Sequence, residues 1–160
     1  MSLSFSGKTV VITGSSRGIG LGIARRFAEA GARLHLIAND AAVHDRAREL
    51  AASGAEADIA DRQAIAAALA PIARIDVLIN NAGLELMTPI SDSSDEIETA
   101  FRRIIEINVI GTALVTARAL PLSDTRLAHH KRRRPSVPAP RRNIRVLENR
   151  CSELQPTLAP

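Results

Sequence analysis

The chain has 160 residues, 46% of them apolar and 24% charged, with a net charge of +4; this fits one ordinary globular domain and excludes a collagen-like, disulfide-scaffold or wholly disordered chain. A single cysteine, Cys151, excludes an internal disulfide and a Cys-rich zinc site. Residues 1–11 carry one lysine and a short apolar run, which matches neither a secretory signal nor a span of about 20 residues, so the expectation is a cytoplasmic protein with no membrane role.

The averages hide a break after Thr125. Before it stand 12 Lys/Arg against 15 Asp/Glu, net −3, and after it 9 against 2, net +7. All nine glycines lie at or before Gly111, whereas five of the eight prolines fall in the last 26 residues. Residues 1–122 therefore read as a folded region and 123–160 as a basic, Pro-rich, disordered tail.

In chain order, residues 9–13 (Thr-Val-Val-Ile-Thr) are β-branched and apolar without alternation, as in a parallel strand covered on both faces. After Gly14, residues 19–30 place Ile19, Ile23, Phe27 and Ala30 at helical spacing, and Gly31 supplies the stop. A second strand is predicted over 34–38 and a helix over 41–52. A third strand follows over 55–59, a helix over 62–70 closed by Pro71, and a fourth strand over 75–79. The last element starts at Ser93 or Ser94 with Glu96 close behind, and runs through Ile97, Phe101, Ile104, Ile105 and Val109 to about Ala119, with Gly111 marking a close helix contact. Strict alternation of strand and helix predicts an α/β fold: an incomplete, doubly wound parallel sheet of Rossmann-like type, joined by right-handed crossovers. Beyond Pro121 no comparable apolar period occurs, and the fourth strand is left as an uncovered apolar edge, which invites aggregation.

Between the first strand and first helix lies Thr13-Gly14-Ser15-Ser16-Arg17-Gly18-Ile19-Gly20. At this place Gly14 suits a tight turn, Gly18 a backbone approached by pyrophosphate, and Gly20 close helix–strand packing, while the helix N-terminus offers free amides to phosphate. The spacing resembles the Thr-Gly-x-x-x-Gly-x-Gly fingerprint of the short-chain dehydrogenase/reductase family. Three further stretches match that family in order: Asp58-Ile59, Asn80-Asn81-Ala82-Gly83 and Ile107-Asn108-Val109. The resemblance covers residues 5–122, roughly the first half of a family member.

The resemblance implies a nicotinamide dinucleotide, hydride transfer between it and a small carbonyl or alcohol substrate, and a homo-oligomer. It assigns to the cofactor Gly14, Ser16, Arg17, Gly18, Ile19 and Gly20, then Asn39, Asp58, Ile59, Asn80, Ala82 and Gly83. Asn108 is the one remnant of the catalytic tetrad, where family members hold a water in the proton relay. Taken alone, Asp58 reads equally as a cap of the next helix, with Asp61 the better N-cap; one of the two asparagines reads as structural, with Asn80 on the ribose side. The end of the second strand is Ile37-Ala38-Asn39-Asp40: Ala38 stands where NAD-dependent relatives carry Asp, and Arg17 is a partner for a 2′-phosphate, so NADP is preferred to NAD, with Asp40 as the residue that would reverse the choice.

The chain has no tyrosine, and its lysines are Lys8 and Lys131. The Tyr-x-x-x-Lys pair on which the family's proton transfer depends is therefore absent, as is a recognisable catalytic serine; Ser123, Ser136, His129 and His130 are not convincing replacements. Written degenerately and read one nucleotide later, the codons of residues 143–153 permit Thr-Tyr-Ala-Ser-Ser-Lys-Thr-Ala-Ala-Leu-Asn. The tyrosine falls at the codon of Ile144, 36 residues after Asn108. A frame shift near residues 121–126 is the reading that explains both the tail and the missing pair. Two other functions compete: a non-catalytic nucleotide-binding module, and a binder of nucleic acid or an acidic partner through 131–134 and 141–142. The second ranks low, because no aromatic residue stands among the tail's bases.

Overall fold

The computed structural model describes residues 4–89, 91 and 93–123, together with the backbone of Arg145–Glu148. Strands β1 (Thr9–Thr13), β2 (Arg33–Ala38), β3 (Ser53–Glu56) and β4 (Val77–Asn80) alternate with helices α1 (Gly18–Glu29), α2 (Ala42–Glu49) and α3 (Arg62–Leu69). Helix α4 (Ser94–Ile105) continues through a π-helical segment, Glu106–Gly111, into α5 (Thr112–Ala119) and a 3-10 turn, Leu120–Leu122, and β5 is Arg145–Glu148. All pairings are parallel, in the order β3-β2-β1-β4-β5. The chain winds outward from β1 to β3 and returns to the other side of β1, which opens a crevice beyond the carboxyl ends of β1 and β4, the switch point where such sheets bind ligands.

The apolar run of β1 is explained by its place. Val10 and Ile12 face a core with Ala24 of α1 and Val43 and Ala47 of α2, while Val11 faces the opposite core with Ile65 and Leu69 of α3 and Val115 of α5. Each of these strand side chains is fully buried, so truncation to alanine costs about 2–5 kcal/mol for the larger ones.

The α/β class and the element order agree with the sequence reading; several boundaries do not. The third strand starts two residues earlier and ends three earlier than expected. Gly54 lets it lie against α2, where a Cβ would stand 2.9 Å from the Ala47 Cβ, and the Ser53 hydroxyl donates to the Leu34 carbonyl at 3.2 Å. Ala57 and Ile59, the apolar residues that suggested the strand, are buried in the turn that follows it. Helix α2 stops at Glu49, and the chain turns through Ala51 at φ 50°, with the Ala52 amide donating to the Ala47 carbonyl at 2.8 Å. The predicted continuous last helix is interrupted by the π segment, which apolar spacing did not reveal.

Within the segment expected to lack structure, the backbone of Arg145–Glu148 pairs in parallel with β4, from Val77↔Arg145 to Asn80↔Glu148. The β4 edge expected to be bare is thus paired: an unsatisfied row of amides and carbonyls next to an apolar strand is a template for any extended backbone. The remainder of 124–160, including the basic runs 131–134 and 141–142, lies outside the described residues. The stretch Ser94–Leu122 is long and apolar enough to cross a membrane by length and composition. Ile107, Gly111, Val115 and Ala119 within it are buried, at the four-residue spacing of a core-facing helix.

Candidate functional site

The glycine loop is held from both sides and leaves its middle open. The Thr13 hydroxyl accepts the Asn81 and Ala82 amides, each at 3.1 Å, and donates to the Ile79 carbonyl at 3.4 Å. Asn81 Nδ2 returns to the Thr13 and Gly14 carbonyls at 3.1 and 3.0 Å. Asn81 is thus the structural asparagine of the pair. On the other flank Ser15 Oγ donates to the Ile37 carbonyl, and Ser16 Oγ to Asp40 Oδ2 at 2.8 Å. Gly14 turns at φ 64°, and a Cβ at Gly20 would stand 2.2 Å from the Gly14 carbonyl oxygen, so no larger residue fits there. At Gly18, by contrast, a Cβ meets nothing within 4 Å.

Helix α1 has no side-chain cap, whereas Asp61 caps α3 through the Gln63 and Ala64 amides and Ser93 with Glu96 forms a capping box on α4. Its ladder opens with Leu21 donating to the Arg17 carbonyl at 3.3 Å, which leaves the Gly18, Ile19 and Gly20 amides at the helix mouth. An uncapped N-terminus beside open space is a place for an anionic group, and the fixed loop is suited to phosphate.

A cavity of about 390 Å³ lies beside this mouth. Among its walls are Gly14, Ser16, Arg17, Asn39, Asp58, Ile59, Ala82 and Gly83, eight of the residues expected at the cofactor, together with Ala38, Ala57, Asn81, Leu84, Arg103 and Ile107. Asp58 Oδ1 accepts the Ala60 amide at 2.9 Å and Oδ2 pairs with Arg103. Burial pushes the Asp58 carboxyl up, but the Ala60 amide and Arg103 outweigh it and hold it below its usual range. Asp58 thus braces its own turn while bordering the cavity; the cap of α3 is Asp61, so Asp58 is not the cap of that helix. Arg17 is exposed and stands 3.7 Å from Asp40 Oδ2, and Asp40 Oδ1 also accepts the Ala42 amide at 3.1 Å.

A second, larger cavity of about 960 Å³ adjoins the first through Asn81, Ala82, Gly83 and Leu84, and its further walls include Ile19, Asn80, Asn108, Thr112, Thr116 and Leu120. Asn80 is buried and its Nδ2 donates to Thr116 Oγ1 at 2.9 Å; its Oδ1 has no partner among the described residues. That orphaned acceptor fits a hydroxyl donor such as a ribose. The Asn108 side chain is engaged at both ends, accepting from the Leu84 amide at 2.8 Å and donating to the Leu84 carbonyl at 2.9 Å. It clamps the loop after β4 to the π segment. Sequence reasoning placed Thr13 in the fingerprint without a role and passed over Thr116 and Arg103; each of the three has a partner 36 to 69 residues away.

Residues 8–129 match the short chain dehydrogenase family. The chain is 40% identical over 125 residues to Oxidoreductase UcpA of Salmonella typhimurium, covering 72% of this chain and 46% of that protein. Among solved structures it resembles the Pseudomonas aeruginosa RhlG/NADP active-site complex (32% identity, TM-score 0.64, 75% of this chain and 48% of that one). L-Sorbose reductase from Gluconobacter frateurii, complexed with NADPH and L-sorbose, is similar in the same way (31% identity, TM-score 0.66, 76% and 49%). The chain spans less than half the length of the curated relatives it matches.

Proposed function

This chain belongs to the short chain dehydrogenase family, and from that membership we propose that it is the cofactor-binding part of an NADP(H)-dependent oxidoreductase acting on a small carbonyl or alcohol. The observation that carries the reading is the uncapped mouth of α1 opening beside a 390 Å³ cavity at the switch point of the sheet. The Gly18, Ile19 and Gly20 amides would hold the pyrophosphate, the cavity at Asp58 and Ile59 the adenosine, and Asn80 the nicotinamide ribose. The bound nicotinamide supplies or takes up a hydride. NADP is preferred because Ala38 offers no carboxylate to a free 2′-hydroxyl and the exposed Arg17, held only by a 3.7 Å contact to Asp40, can turn toward a 2′-phosphate, while Asp40 is already bonded to Ser16 and the Ala42 amide. Titrating the chain with NADPH and NADH tests this: Arg17→Ala is expected to weaken NADPH about tenfold and to leave NADH nearly unchanged, since a charge-assisted bond to phosphate is worth one to two powers of ten. Equal losses for both, or none, refute the NADP preference.

The chain as written binds without turnover. It has no tyrosine to carry the proton, and the Asn108 side chain is committed to Leu84. A shifted reading frame near residues 121–126, which restores Tyr-x-x-x-Lys around codon 144, accounts for this loss. Sequencing the encoding DNA across residues 120–150 decides it: a nucleotide gained or lost there returns an ordinary reductase, whereas an intact frame leaves a nucleotide-binding module. Phe101, Ile105 and Val109 form an exposed apolar stripe at four-residue spacing on α4 and the π segment, which fits pairing with a second copy. Sedimentation at micromolar concentration should show a dimer that Phe101→Arg dissociates. A cytoplasmic location is part of the same reading.

A further inference from the structure

Strand β4 is covered on both faces. Val77 and Ile79 face the core of α1 and α2, Leu78 faces that of α3 and α5, and these three and Asn80 are buried. On the side away from β1 its backbone pairs in parallel with Arg145–Glu148. The way this neighbour is supplied sets it apart from the other strands. The helical stretch from Ser94 is itself the crossover, and it already returns the chain to the foot of β4, where the Ile75 amide donates to the Leu122 carbonyl at 2.9 Å. Pairing begins at Val77↔Arg145, two residues further along. The topology therefore has no need of the 21 residues, 124–144, that intervene and lie outside the described residues. They hold three prolines and eight Lys, Arg or Asp, residue types that suit a strand poorly. Val146-Leu147 is the first adjacent pair of branched aliphatic residues after Leu122, so the edge is filled by the first segment suited to extend against it.

We propose that Arg145–Glu148 is an intramolecular guard on the β4 edge, and that the edge it covers docks the β4 edge of a second copy of this chain once the guard is withdrawn. A row of unpaired amides and carbonyls on an apolar strand is a template for another strand. Two copies of one edge are also self-complementary about a two-fold axis, so the partner that the bare edge fits best is itself. The guard gives the tail a role that needs neither catalysis nor a charged partner, and the inference is independent of the cofactor reading.

The test uses the full chain carrying Phe101→Arg, which removes the helix-face pairing expected above, and reads sedimentation together with amide hydrogen exchange. Val146→Pro with Leu147→Pro breaks the guard: successive residues of a strand bond to opposite sides, so one of the two prolines removes a donor to β4. The chain with its guard should sediment as a monomer at micromolar concentration, and the double-proline chain as dimers and larger species. When dilute, the double-proline chain should exchange its β4 amides on the side away from β1 about thirtyfold faster, the worth of two net backbone hydrogen bonds. A free peptide of residues 143–149 at about millimolar concentration, the level a tethered segment presents to its site, should restore the monomer and slow the exchange, and the same peptide with both prolines should do neither. If thermal unfolding shows that the double-proline chain does not fold, the tether carries the test. Deleting residues 128–141 leaves seven of the 21 intervening residues and should slow β4 exchange about fivefold, because closure over a shorter stretch costs less. An unchanged monomer with unchanged exchange on breaking the guard overturns the proposal, as does association that the peptide does not reverse, or a tether deletion without effect.

Discussion

The two adjoining cavities differ in how completely this chain builds them. The first is walled by the ends of β1 and β2, the turn after β3, the loop after β4 and α4, and three of its polar side chains are tied down: Ser16 to Asp40, Asp58 to Ala60 and Arg103, and Asn81 to the glycine loop. The second is larger, is formed by the β4 loop and the π segment with α5, and keeps a buried acceptor on Asn80 without a partner among the described residues. Preorganised groups bind because their ordering cost is already met in the fold. The difference teaches that, on the function proposed above, the two ends of a bound dinucleotide would draw on separate stretches of sequence, of which the first is the more completely built here.

The comparison is broken most severely at Gly20. Gly20→Val sets a side chain against the Gly14 carbonyl and is expected to cost about 3 kcal/mol by overpacking; calorimetric titration should then find no NADPH binding at all. Thr13→Val comes next. It strands the Asn81 and Ala82 amides, an effect of about 2 kcal/mol on stability, and loosens the loop shared by both cavities, so that ADP-ribose 2′-phosphate and full NADPH should weaken together. Thr116→Val sharpens the contrast. It removes the partner of Asn80 Nδ2 in the second cavity alone, and should cost about 1 kcal/mol and weaken NADPH without changing the affinity for ADP-ribose 2′-phosphate.

Acid should separate the sheet from the site. His35 on β2 is buried, and its Nδ1 lies 2.7 Å from Ser53 Oγ. The Ser53 hydroxyl also lies 3.2 Å from the Leu34 carbonyl, and His35 Nε2 lacks a partner that satisfies distance and angle among the described residues. Burial lowers the His35 pKa, and the nearby Ala68 backbone offsets this only in part. With the folded value below the unfolded one, the unfolded chain binds the proton first. Stability is therefore full above about pH 6.5 and declines as pH falls below it. Asp58 and Asp76, both held low, contribute above about pH 4 and lose that contribution below it. Melting temperature against pH should show two declines, and His35→Leu should erase the upper one. The smallest effect is a gain: Ala51→Gly relieves a left-handed residue after α2 and should stabilise by about 1 kcal/mol in urea titrations.

Much of the fold was legible because its signals are local. Residues 9–13 announced a covered strand, and the spacing of Gly14, Gly18 and Gly20 located the turn, the helix mouth and the tight crossing. Elements lacking such a signal were misplaced. The third strand was drawn onto Ala57 and Ile59, since an alternation of apolar residues does not distinguish a strand from a turn buried beneath a helix. Helix α2 ended without a glycine, so its stop was hidden. The site was legible where backbone geometry selects the residue, and illegible where a contact is made across the chain: nothing near Arg103 in the sequence names Asp58 as its partner.

The π segment carries a consequence for how this chain tolerates change in length. A π turn holds one residue more than an α turn, and each residue of a helix advances the phase by about 100°. Ile107, Gly111, Val115 and Ala119 reach the sheet with the surplus residue in place. Deleting a single codon between residues 106 and 111 would remove that surplus and let the segment close as ordinary α-helix, with Val115 and Ala119 still facing the core. Deleting one within α5 has no surplus to draw on: Ala119 would turn by about 100° away from the core, so the same loss of one residue is absorbed in one stretch of the helix and disruptive in the next.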